Sequence, residues 1–362
     1  MRKWVRADAG RMPRLRRSAV FFATRESAMS EPAARSAGVS ASRAVAGFMA
    51  RYGLIIALVV MEAGFAIVEP LVLSPGNLLN IVQQTSYIAV FATAQMVVIL
   101  TRGFDLSLGT CVSTVSVASA LVMTGMVAGN PANLPLALVM GVMTALGIGI
   151  AVGLFNGICV SVLRVNAFVT TLGSFNICFG IATTISDGRP VFDVPKEFSE
   201  LMYSGTILGV PAPVIIAIVV LIGIHLMLNW TVFGRSLCLI GGNPRAAALA
   251  GLPSRRYLTM AYVVCSVLAA IGALMLTART GSGEPNLGGN VTLQSIAAAV
   301  IGGVSLRGGV GSAYAAALGA LFVTALSNGM GLARIDGYIQ QIILGCVIIA
   351  AIFVDRLRSG VR

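Results

Sequence analysis

The sequence predicts an all-α membrane protein with about ten transmembrane helices. Hydrophobic residues make up 57% of its 362 positions and charged residues only 10%, whereas an ordinary soluble domain carries about 25% charged residues. The apolar residues also form long continuous runs, unlike the short alternating segments of a membrane β-barrel. Because lipid offers no partners to open backbone groups, runs of this kind are expected to be helices.

Ten apolar runs are candidate spans. They cover residues 54–68, 81–100, 106–128, 134–163, 167–185, 214–230, 257–278, 293–304, 312–330 and 338–354. The fourth is long and contains Gly147, Gly149 and Gly153, where we expect a tilt or a break. The eighth is too short to cross about 30 Å as a straight helix. It is expected to be a partial or re-entrant span, or to begin earlier.

The distribution of basic residues supports an even number of spans, with the N- and C-termini cytoplasmic. With this orientation, 21 of the 25 Lys and Arg residues lie on the cytoplasmic side. The four outside are Arg189, Lys196, Arg279 and Arg334. This sorting follows the positive-inside rule. It therefore explains the net charge of +12 without nucleic acid as a partner.

The chain is expected to form one membrane domain with a basic extension. Residues 1–50 are rich in Arg, Ala and Ser and lack a long apolar run, which predicts a disordered cytoplasmic segment near anionic membrane lipid. Residues 51–356 are the predicted membrane domain, and residues 357–362 are a short cytoplasmic tail. No cleavable signal peptide is expected, because the first apolar stretch begins at Leu54. Translation from Met29 is an alternative start.

The cytoplasmic loop of residues 234–256 is predicted to contain a short helix. Asn243 is suited to cap its start, with Pro244 at the first helical position. Helix-forming residues follow from Arg245 to Leu249, and Gly251 supplies a stop. A plain connector that obeys the positive-inside rule explains the same residues equally well.

The same loop carries the pattern Gly-Gly-Asn-x-x-Ala-Ala-x-x-x-Gly-Leu. The residues of the pattern are Gly241, Gly242, Asn243, Ala246, Ala247, Gly251 and Leu252, with Arg245 inside it. This pattern resembles the coupling helix of bacterial ABC sugar-importer permeases of the ribose/xylose/galactose type. Further blocks at residues 83–86, 102–109, 165–173, 299–312 and 327–330 resemble blocks of that family in the same order. Phe104 departs from the Ile or Val that is usual there. The resemblance covers about residues 74–356.

The resemblance implies a type II ABC-importer permease of the bacterial inner membrane that does no covalent chemistry itself. It implies a pore of two permease subunits, identical or related, and two ABC ATPase subunits that dock on the coupling helix. A periplasmic or lipid-anchored binding protein is implied to deliver the solute, a monosaccharide such as ribose. No block identifies the sugar. A furanose-like signal, a nucleoside and a branched-chain amino acid are the rival solutes.

The glycine-rich segment of residues 302–312 is predicted to belong to a gate or its cytoplasmic support. The residues in question are Gly302, Gly303, Gly308, Gly309 and, on the earlier block, Asp105. A phosphate-binding P-loop needs Lys and then Ser or Thr after its last glycine, and neither lysine of this chain follows a glycine. For Asp105, capping the start of the third span is the favoured role.

Polar residues within the spans are candidates for the translocation pathway. They are Gln83, Gln84, Thr85, Asn166, Phe168, Thr171, Gln294 and Asn328, with Phe168 as the aromatic member. Amides and hydroxyls both donate and accept hydrogen bonds, which suits an uncharged polyhydroxylated solute. Such side chains also bond one membrane helix to another, so only part of the set is expected to face the solute.

An ion-coupled secondary transporter is the alternative of another class. It would require a relay of buried ionisable residues, and the spans offer only Glu62, Asp105 and His225, which are scattered. The single histidine and six cysteines without CxxC spacing predict neither a metal site nor a cofactor.

Overall fold

A computed structural model describes the backbone of residues 33–360 and the side chains of Phe48 and residues 52–353. The chain divides into two compact units, Met1–Arg51 and Tyr52–Arg362. Residues 1–32, which hold most of the predicted disordered extension, lie outside the described residues. The described backbone begins with a helix, Ala33–Val68.

The described residues form thirteen α-helices and one small hairpin. The helices are α1 (Ala33–Val68), α2 (Pro75–Ile99), α3 (Leu108–Gly129), α4 (Leu134–Ser161), α5 (Ala167–Ile185), α6 (Lys196–Ser199), α7 (Ala212–Trp230), α8 (Val232–Gly242), α9 (Pro244–Leu249), α10 (Ser254–Thr280), α11 (Val291–Ile301), α12 (Ala313–Leu332) and α13 (Gly337–Gly360). Strands β1 (Thr206–Ile207) and β2 (Val210–Pro211) pair in antiparallel fashion before α7. The all-helical prediction is confirmed.

Seven helices in the described part of the chain are long and apolar enough to cross a membrane. They are α2, α3, α4, α5, α7, α10 and α12. Four further helices in that part of the chain are apolar but shorter: Tyr52–Val68, Val232–Gly242, Val291–Ile301 and Gly337–Phe353. Val232–Gly242 is α8 and matches no predicted span; the seven long helices and the other three short ones follow the order of the ten predicted spans. The full crossing of the three short segments and the orientation of the termini stay predictions.

Helix α2 occupies the centre of the second unit. All of its residues from Ala89 to Ile99 are buried, and α7, α10, α11 and α12 pack around it. The first part of α2, up to Thr85, is mostly exposed or half-buried. The neighbouring helices therefore enclose the second half of α2 and position the end that leads to Leu100.

Helix α4 is continuous, so the predicted break at its glycines is wrong. Gly149, Gly153 and Gly157 all face α10, and a Cβ at Gly153 would lie 2.5 Å from the Cα of Val263. Glycines four residues apart form one stripe on a helix and let two backbones approach closely. The stripe therefore joins α4 to α10, and the helix continues through it.

The predicted eighth span, residues 293–304, contains most of the short helix α11, and an irregular segment precedes that helix. The segment of residues 281–290 runs beside α3: the amide of Gly288 donates to Ser113 Oγ at 3.1 Å. A Cβ at Gly288 would lie 1.7 Å from the carbonyl oxygen of Gly109. The Thr292 hydroxyl then accepts from the Gly109 amide at 2.9 Å. Non-helical backbone is tolerated at membrane depth where it is buried in protein, so these contacts are compatible with the predicted crossing.

The glycine stripe yields a stability prediction. Gly153→Ala is expected to destabilise the protein by about 2 kcal/mol, because the added methyl group overlaps the α10 backbone and overpacking costs about 1–3 kcal/mol. The measurement is the thermal unfolding midpoint of the purified protein in lipid nanodiscs.

Gly147→Ala is the matched control for this prediction. Nothing lies within 4 Å of a Cβ at Gly147, so this change is expected to be neutral or slightly stabilising through helix propensity. Equal midpoints for the two variants would contradict the close contact between α4 and α10.

Candidate coupling site and solute pathway

Helix α9 is built as the sequence predicts. The Asn243 side chain accepts from the Ala246 amide at 3.0 Å, and Pro244 occupies the first turn. At the other end Gly251 has a φ of +72°, and the amide of Leu252 donates to the carbonyl of Ala247 at 3.1 Å. This six-to-one bond beside a left-handed glycine is a Schellman termination. The short helix is therefore closed by its own residues at both ends, and that prediction is confirmed.

The outer face of α9 is unpartnered within the described residues. Leu249 is 91% exposed, and Arg245 and Ala246 are exposed as well. Only Ala247 is turned inward, at 3% exposure. A short capped helix that displays a leucine and an arginine provides an apolar contact and a cation to a protein docked on it.

Arg102 fixes the chain just before α9. It lies in the turn after α2 with a φ of +66°. Its guanidinium donates to the carbonyl oxygen of Gly241, and through Nη2 to that of Gly242 at 2.8 Å. These carbonyls end α8, where helix carbonyls lack partners and carry partial negative charge. The arginine therefore ties the end of α8 to the end of α2.

Three backbone segments meet at this point without room for a side chain. A Cβ at Gly241 would lie 1.7 Å from the Leu100 carbonyl oxygen. That carbonyl accepts from the amide of Gly309 at 2.8 Å. Gly308 and Gly309 have φ values of +77° and +79°, a region open mainly to glycine. We call the contact among Leu100, Arg102, Gly241, Gly242, Gly308 and Gly309 the glycine junction.

The other predicted gate or support glycines lie at the end of α11. A Cβ at Gly302 would lie 1.9 Å from the carbonyl oxygen of Ala315, so Gly302 allows α11 and α12 to cross closely. Gly303 follows with a φ of +103°. These two positions shape the turn between α11 and α12. Their assignment to a gate stays a prediction.

Asp105 is fully buried, at 0% exposure, in a chain of polar side chains. Its Oδ1 accepts from the amide of Ser107 at 2.9 Å and from the hydroxyl of Ser107 at 2.5 Å. Asn156 of α4 donates to that hydroxyl at 2.8 Å, and the hydroxyl of Ser174 on α5 donates to Asn156. With the amide oxygen and nitrogen of Gln95 interchanged, its side chain donates to the carbonyl oxygen of Asp105 and accepts from the Asp105 amide, both at 3.2 Å.

This buried network of polar side chains gives Asp105 a role other than the predicted cap of α3. The residue at the cap position of α3 is Ser107, while Asp105 forms a turn with the amide two residues ahead. Because the chain reaches α2, α4 and α5, its main effect is to hold four helices together. A buried carboxylate is costly unless it is hydrogen-bonded. Here Oδ1 accepts two hydrogen bonds from Ser107, whereas Oδ2 has no partner among the described residues.

Two of the predicted pathway residues lie together in one polar cavity. Gln84 of α2 and Gln294 of α11 line a cavity of about 230 Å³. Thr85, one residue away, lines instead an apolar groove of about 500 Å³ between α2, α7 and α12. The two faces of α2 thus separate residues that are adjacent in the sequence.

The remaining pathway candidates lie elsewhere. Asn166 caps α5 by accepting from the Phe168 amide at 2.9 Å, and the ring of Phe168 is exposed. The Thr171 hydroxyl donates to its own helix, to the Ala167 carbonyl at 2.8 Å. Asn328 and Asn77 exchange two amide hydrogen bonds of 2.9 Å between α12 and α2. Gln83 is half-buried and lines neither cavity.

The sequence did not predict that Arg102 contacts the loop before α9. It also did not predict the polar neighbours of Gln84 and Gln294 in the cavity, which are Tyr87, Arg279, Thr324 and Ser327. Arg102 and Gly242 are 140 positions apart, and no local spacing connects them. The glycines of the two blocks were visible, but the pairing of the blocks required the fold.

Comparisons with known proteins agree with this architecture. Residues 77–352 match the family described as "Branched-chain amino acid transport system / permease component". The ribose import permease protein RbsC of Escherichia coli K12 is 35% identical over 308 residues, which are 84% of this chain and 93% of that protein. RbsC of Bacillus subtilis 168 is 32% identical over 316 residues, 87% of this chain and 95% of the relative.

A third relative is the galactose/methyl galactoside import permease protein MglC of Salmonella typhimurium LT2, 33% identical over 317 residues, 84% of this chain and 94% of that protein. No solved structure matches the chain. The match spans the seven long apolar helices, which is the architecture of a permease of the bacterial inner membrane. The chain therefore belongs to the branched-chain amino acid transport system permease family.

Proposed function

We propose that this chain is the transmembrane subunit of a bacterial ATP-driven importer that translocates a monosaccharide, such as ribose or galactose. The sugar assignment is supported by the ribose and galactose permeases that it resembles along most of their length. In this proposal the chain does no covalent chemistry, and a partner ATPase hydrolyses ATP. A second permease subunit, an ATPase pair and a solute-binding protein complete the importer.

The observation that carries the coupling role is helix α9 with its exposed Leu249. An apolar side chain that is 91% exposed on a helix with closed ends has the properties of an anchor that enters a pocket of a partner. We infer that the ATPase docks on the face formed by Arg245, Ala246 and Leu249. Asn243, Gly251 and Leu252 then hold the helix in shape, while Gly241 and Gly242 join it to the membrane domain.

The glycine junction supports a route by which ATPase movement reaches the membrane helices. Arg102 links the residues just before α9 to the end of α2, and the Gly309 amide links the turn after α11 to the same place. Displacement of α9 would therefore be transmitted to α2 and to the α11–α12 turn together. In this proposal the residues Asp105, Gly302, Gly303, Gly308 and Gly309 support the gate.

The membrane topology is part of the proposal. We infer ten crossings with both termini cytoplasmic, a type II importer arrangement, in which residues 51–356 form the membrane domain. The crossing by the segment of residues 281–301 is supported by its burial against α3. The sorting of Lys and Arg residues supports the orientation.

A permease for a branched-chain amino acid is the second candidate, and the description of the matching family favours it. Uptake of D-ribose, D-galactose and L-leucine into proteoliposomes that contain the assembled importer separates the two. Uptake driven by an ion gradient without any ATPase would contradict both.

Docking of the ATPase is tested with a variant in which a flexible Gly-Ser linker replaces residues 245–249. The variant is expected to insert into the membrane normally, since α10 and α8 remain, but to lose co-purification of the ATPase subunit. The measurement is the ATPase recovered on the tagged permease after affinity purification.

The single change Leu249→Asp is expected to weaken the same co-purification at least about tenfold, because truncation of a buried anchor typically costs 2 kcal/mol or more. Thr206→Asp, at an exposed position on β1 before the start of α7, is the control. Full ATPase recovery with the linker variant would refute the docking assignment.

The second prediction concerns Arg102. Arg102→Ala removes two hydrogen bonds from a charged donor, each worth about 1.5–3 kcal/mol. Backbone amides of residues 239–252 are therefore expected to exchange hydrogen at least about tenfold faster, as measured by mass spectrometry in nanodiscs. Arg307→Ala, an exposed arginine in the neighbouring turn, is the control and should leave the exchange unchanged. Unchanged exchange in Arg102→Ala would show that the junction does not hold the loop.

The third prediction tests the topology with single cysteines in a chain whose six native cysteines are replaced. Gly188→Cys is expected to react with an impermeant maleimide added outside intact cells, whereas Arg307→Cys is expected to react only after the membrane is opened. Outside labelling of Arg307→Cys would mean that residues 281–301 do not cross. Replacement of the native thiols also removes Cys238 of α8, whose pKa is raised by burial and whose labelling would be slow.

A further inference from the structure

The polar cavity beside α2 has no part in the docking and coupling proposed above. It lies between α2, α10, α11 and α12 and holds about 230 Å³. Drug-sized ligands occupy pockets of about 300–1,000 Å³, so a cavity of this size suits a smaller molecule. Six of its ten lining residues are polar, a larger share than in a typical drug-sized pocket, where a small number of polar groups fix the orientation of the ligand. The polar members are Gln84, Tyr87, Arg279, Gln294, Thr324 and Ser327.

Two buried hydroxyls on this cavity have no protein partner. Within the described residues, Tyr87 Oη and Thr324 Oγ1 have no hydrogen-bond partner, although Tyr87 is 2% and Thr324 4% exposed. An unsatisfied buried hydroxyl costs about 1–3 kcal/mol, so native structures rarely retain one without a reason. Both residues line the same cavity from different helices, α2 and α12. A ligand with hydroxyl groups would satisfy both.

Arg279 holds the aromatic wall of the cavity. Its guanidinium carbon lies 5.6 Å from the centroid of the Tyr87 ring, and Arg279 is in the last turn of α10. The cation is thereby placed over the ring face and near the negative end of its helix. Among the lining residues Arg279 is the one charged group. No carboxylate is present among them to receive an ammonium group.

The cavity adjoins the start of a half-length helix. Val291 and Gln294 of the first turn of α11 line it, and α11 begins where the irregular segment beside α3 ends. The start of α11 has no side-chain cap. In many transporters the substrate lies near the middle of the membrane at such discontinuous helices, because exposed backbone groups there can contact it.

We propose that this cavity is a solute-binding subsite of the translocation pathway for a neutral monosaccharide, in which Gln84, Tyr87, Gln294 and Thr324 hydrogen-bond the sugar hydroxyls. The site rests on the proposed importer function and gives it a location in the chain. Amides and hydroxyls accept and donate without a fixed charge, so they match a polyhydroxylated molecule in several orientations. A passage site needs this tolerance, since it must also release the solute.

The test uses the assembled importer in proteoliposomes, with its ATPase and with its solute-binding protein supplied outside. Uptake of radiolabelled D-ribose, D-xylose and D-galactose is compared with uptake of L-leucine. Tyr87→Phe and Thr324→Val each remove one unpartnered hydroxyl with little change in shape. Each is expected to lower the maximal sugar uptake rate about three- to tenfold, as befits one lost hydrogen bond, while ATP hydrolysis and the thermal unfolding midpoint are maintained.

Two further variants separate binding from structure. Thr324→Ser keeps the hydroxyl and is expected to retain most of the uptake that Thr324→Val loses. Thr93→Val removes another buried and unpartnered hydroxyl of α2, but Thr93 lines neither this cavity nor the apolar groove, so its uptake should equal that of the wild type.

The outcomes distinguish the subsite from the importer function. If the wild-type importer takes up sugar and both Tyr87→Phe and Thr324→Val do so at the same rate, the subsite is overturned and the proposed function stands. If the wild-type importer takes up none of the three sugars, the proposed function is overturned and, with it, the ligand class of the subsite. Uptake of L-leucine that the two variants reduce would overturn the neutral-sugar assignment.

Discussion

The contact between the Leu100 carbonyl and the glycines around it is the constraint on which the ends of α2 and α8 and the turn between α11 and α12 depend. The carbonyl accepts from the Gly309 amide, and it leaves no space for a side chain at Gly241. Arg102 closes the same junction by binding the carbonyls of Gly241 and Gly242. Apart from the Arg102 side chain, the three segments meet through backbone atoms, so little flexible side chain separates them. In the proposed coupling, a displacement of one segment is therefore passed to the other two.

Deeper in the bundle, hydrogen bonds and close packing at small residues hold the helices together, as hydrophobic burial does in a water-soluble protein. Lipid tails are as apolar as leucine, so apolar area alone gives membrane helices little reason to associate. The α4–α10 interface therefore relies on close backbone approach at Gly149, Gly153 and Gly157. Around Asp105, Ser107 and Asn156, hydrogen bonds join the helices instead. Both devices position α3, and α3 in turn holds the irregular segment before α11.

Much of this architecture follows from the sequence, because its signals are local. Span positions depend on runs of apolar residues, and the ends of α9 depend on Asn243, Pro244 and Gly251, which act on their own neighbours. The break expected in α4 was wrong because glycine has two uses in a membrane helix. Bending and close packing produce the same composition, and only the partner helix α10 distinguishes them.

The candidate site was predictable only in part, since its contacts join distant positions. The Asn77–Asn328 pair spans 251 positions, so an amide that looked like a pathway residue proves to be bonded to another helix. Gln84 and Thr85 are neighbours in the chain but face different cavities. That difference depends on the rotation of α2 within the bundle. Arg279 gave no local signal at all, because its role arises from the ring of Tyr87 on another helix.

The cavity and the glycine junction lie on the same two elements, and this connects the proposed subsite with the proposed coupling. Helix α2 carries Tyr87 in the cavity and leads to Leu100 at the junction, about 20 Å away at 1.5 Å per residue. Helix α11 begins with Val291 at the cavity, and the turn that follows it reaches Gly309. In the proposed mechanism, a shift imposed at the junction acts on both elements and so displaces both walls of the cavity. Weak, exchangeable hydrogen bonds to the solute are then an advantage, since the same shift can break them and release the sugar.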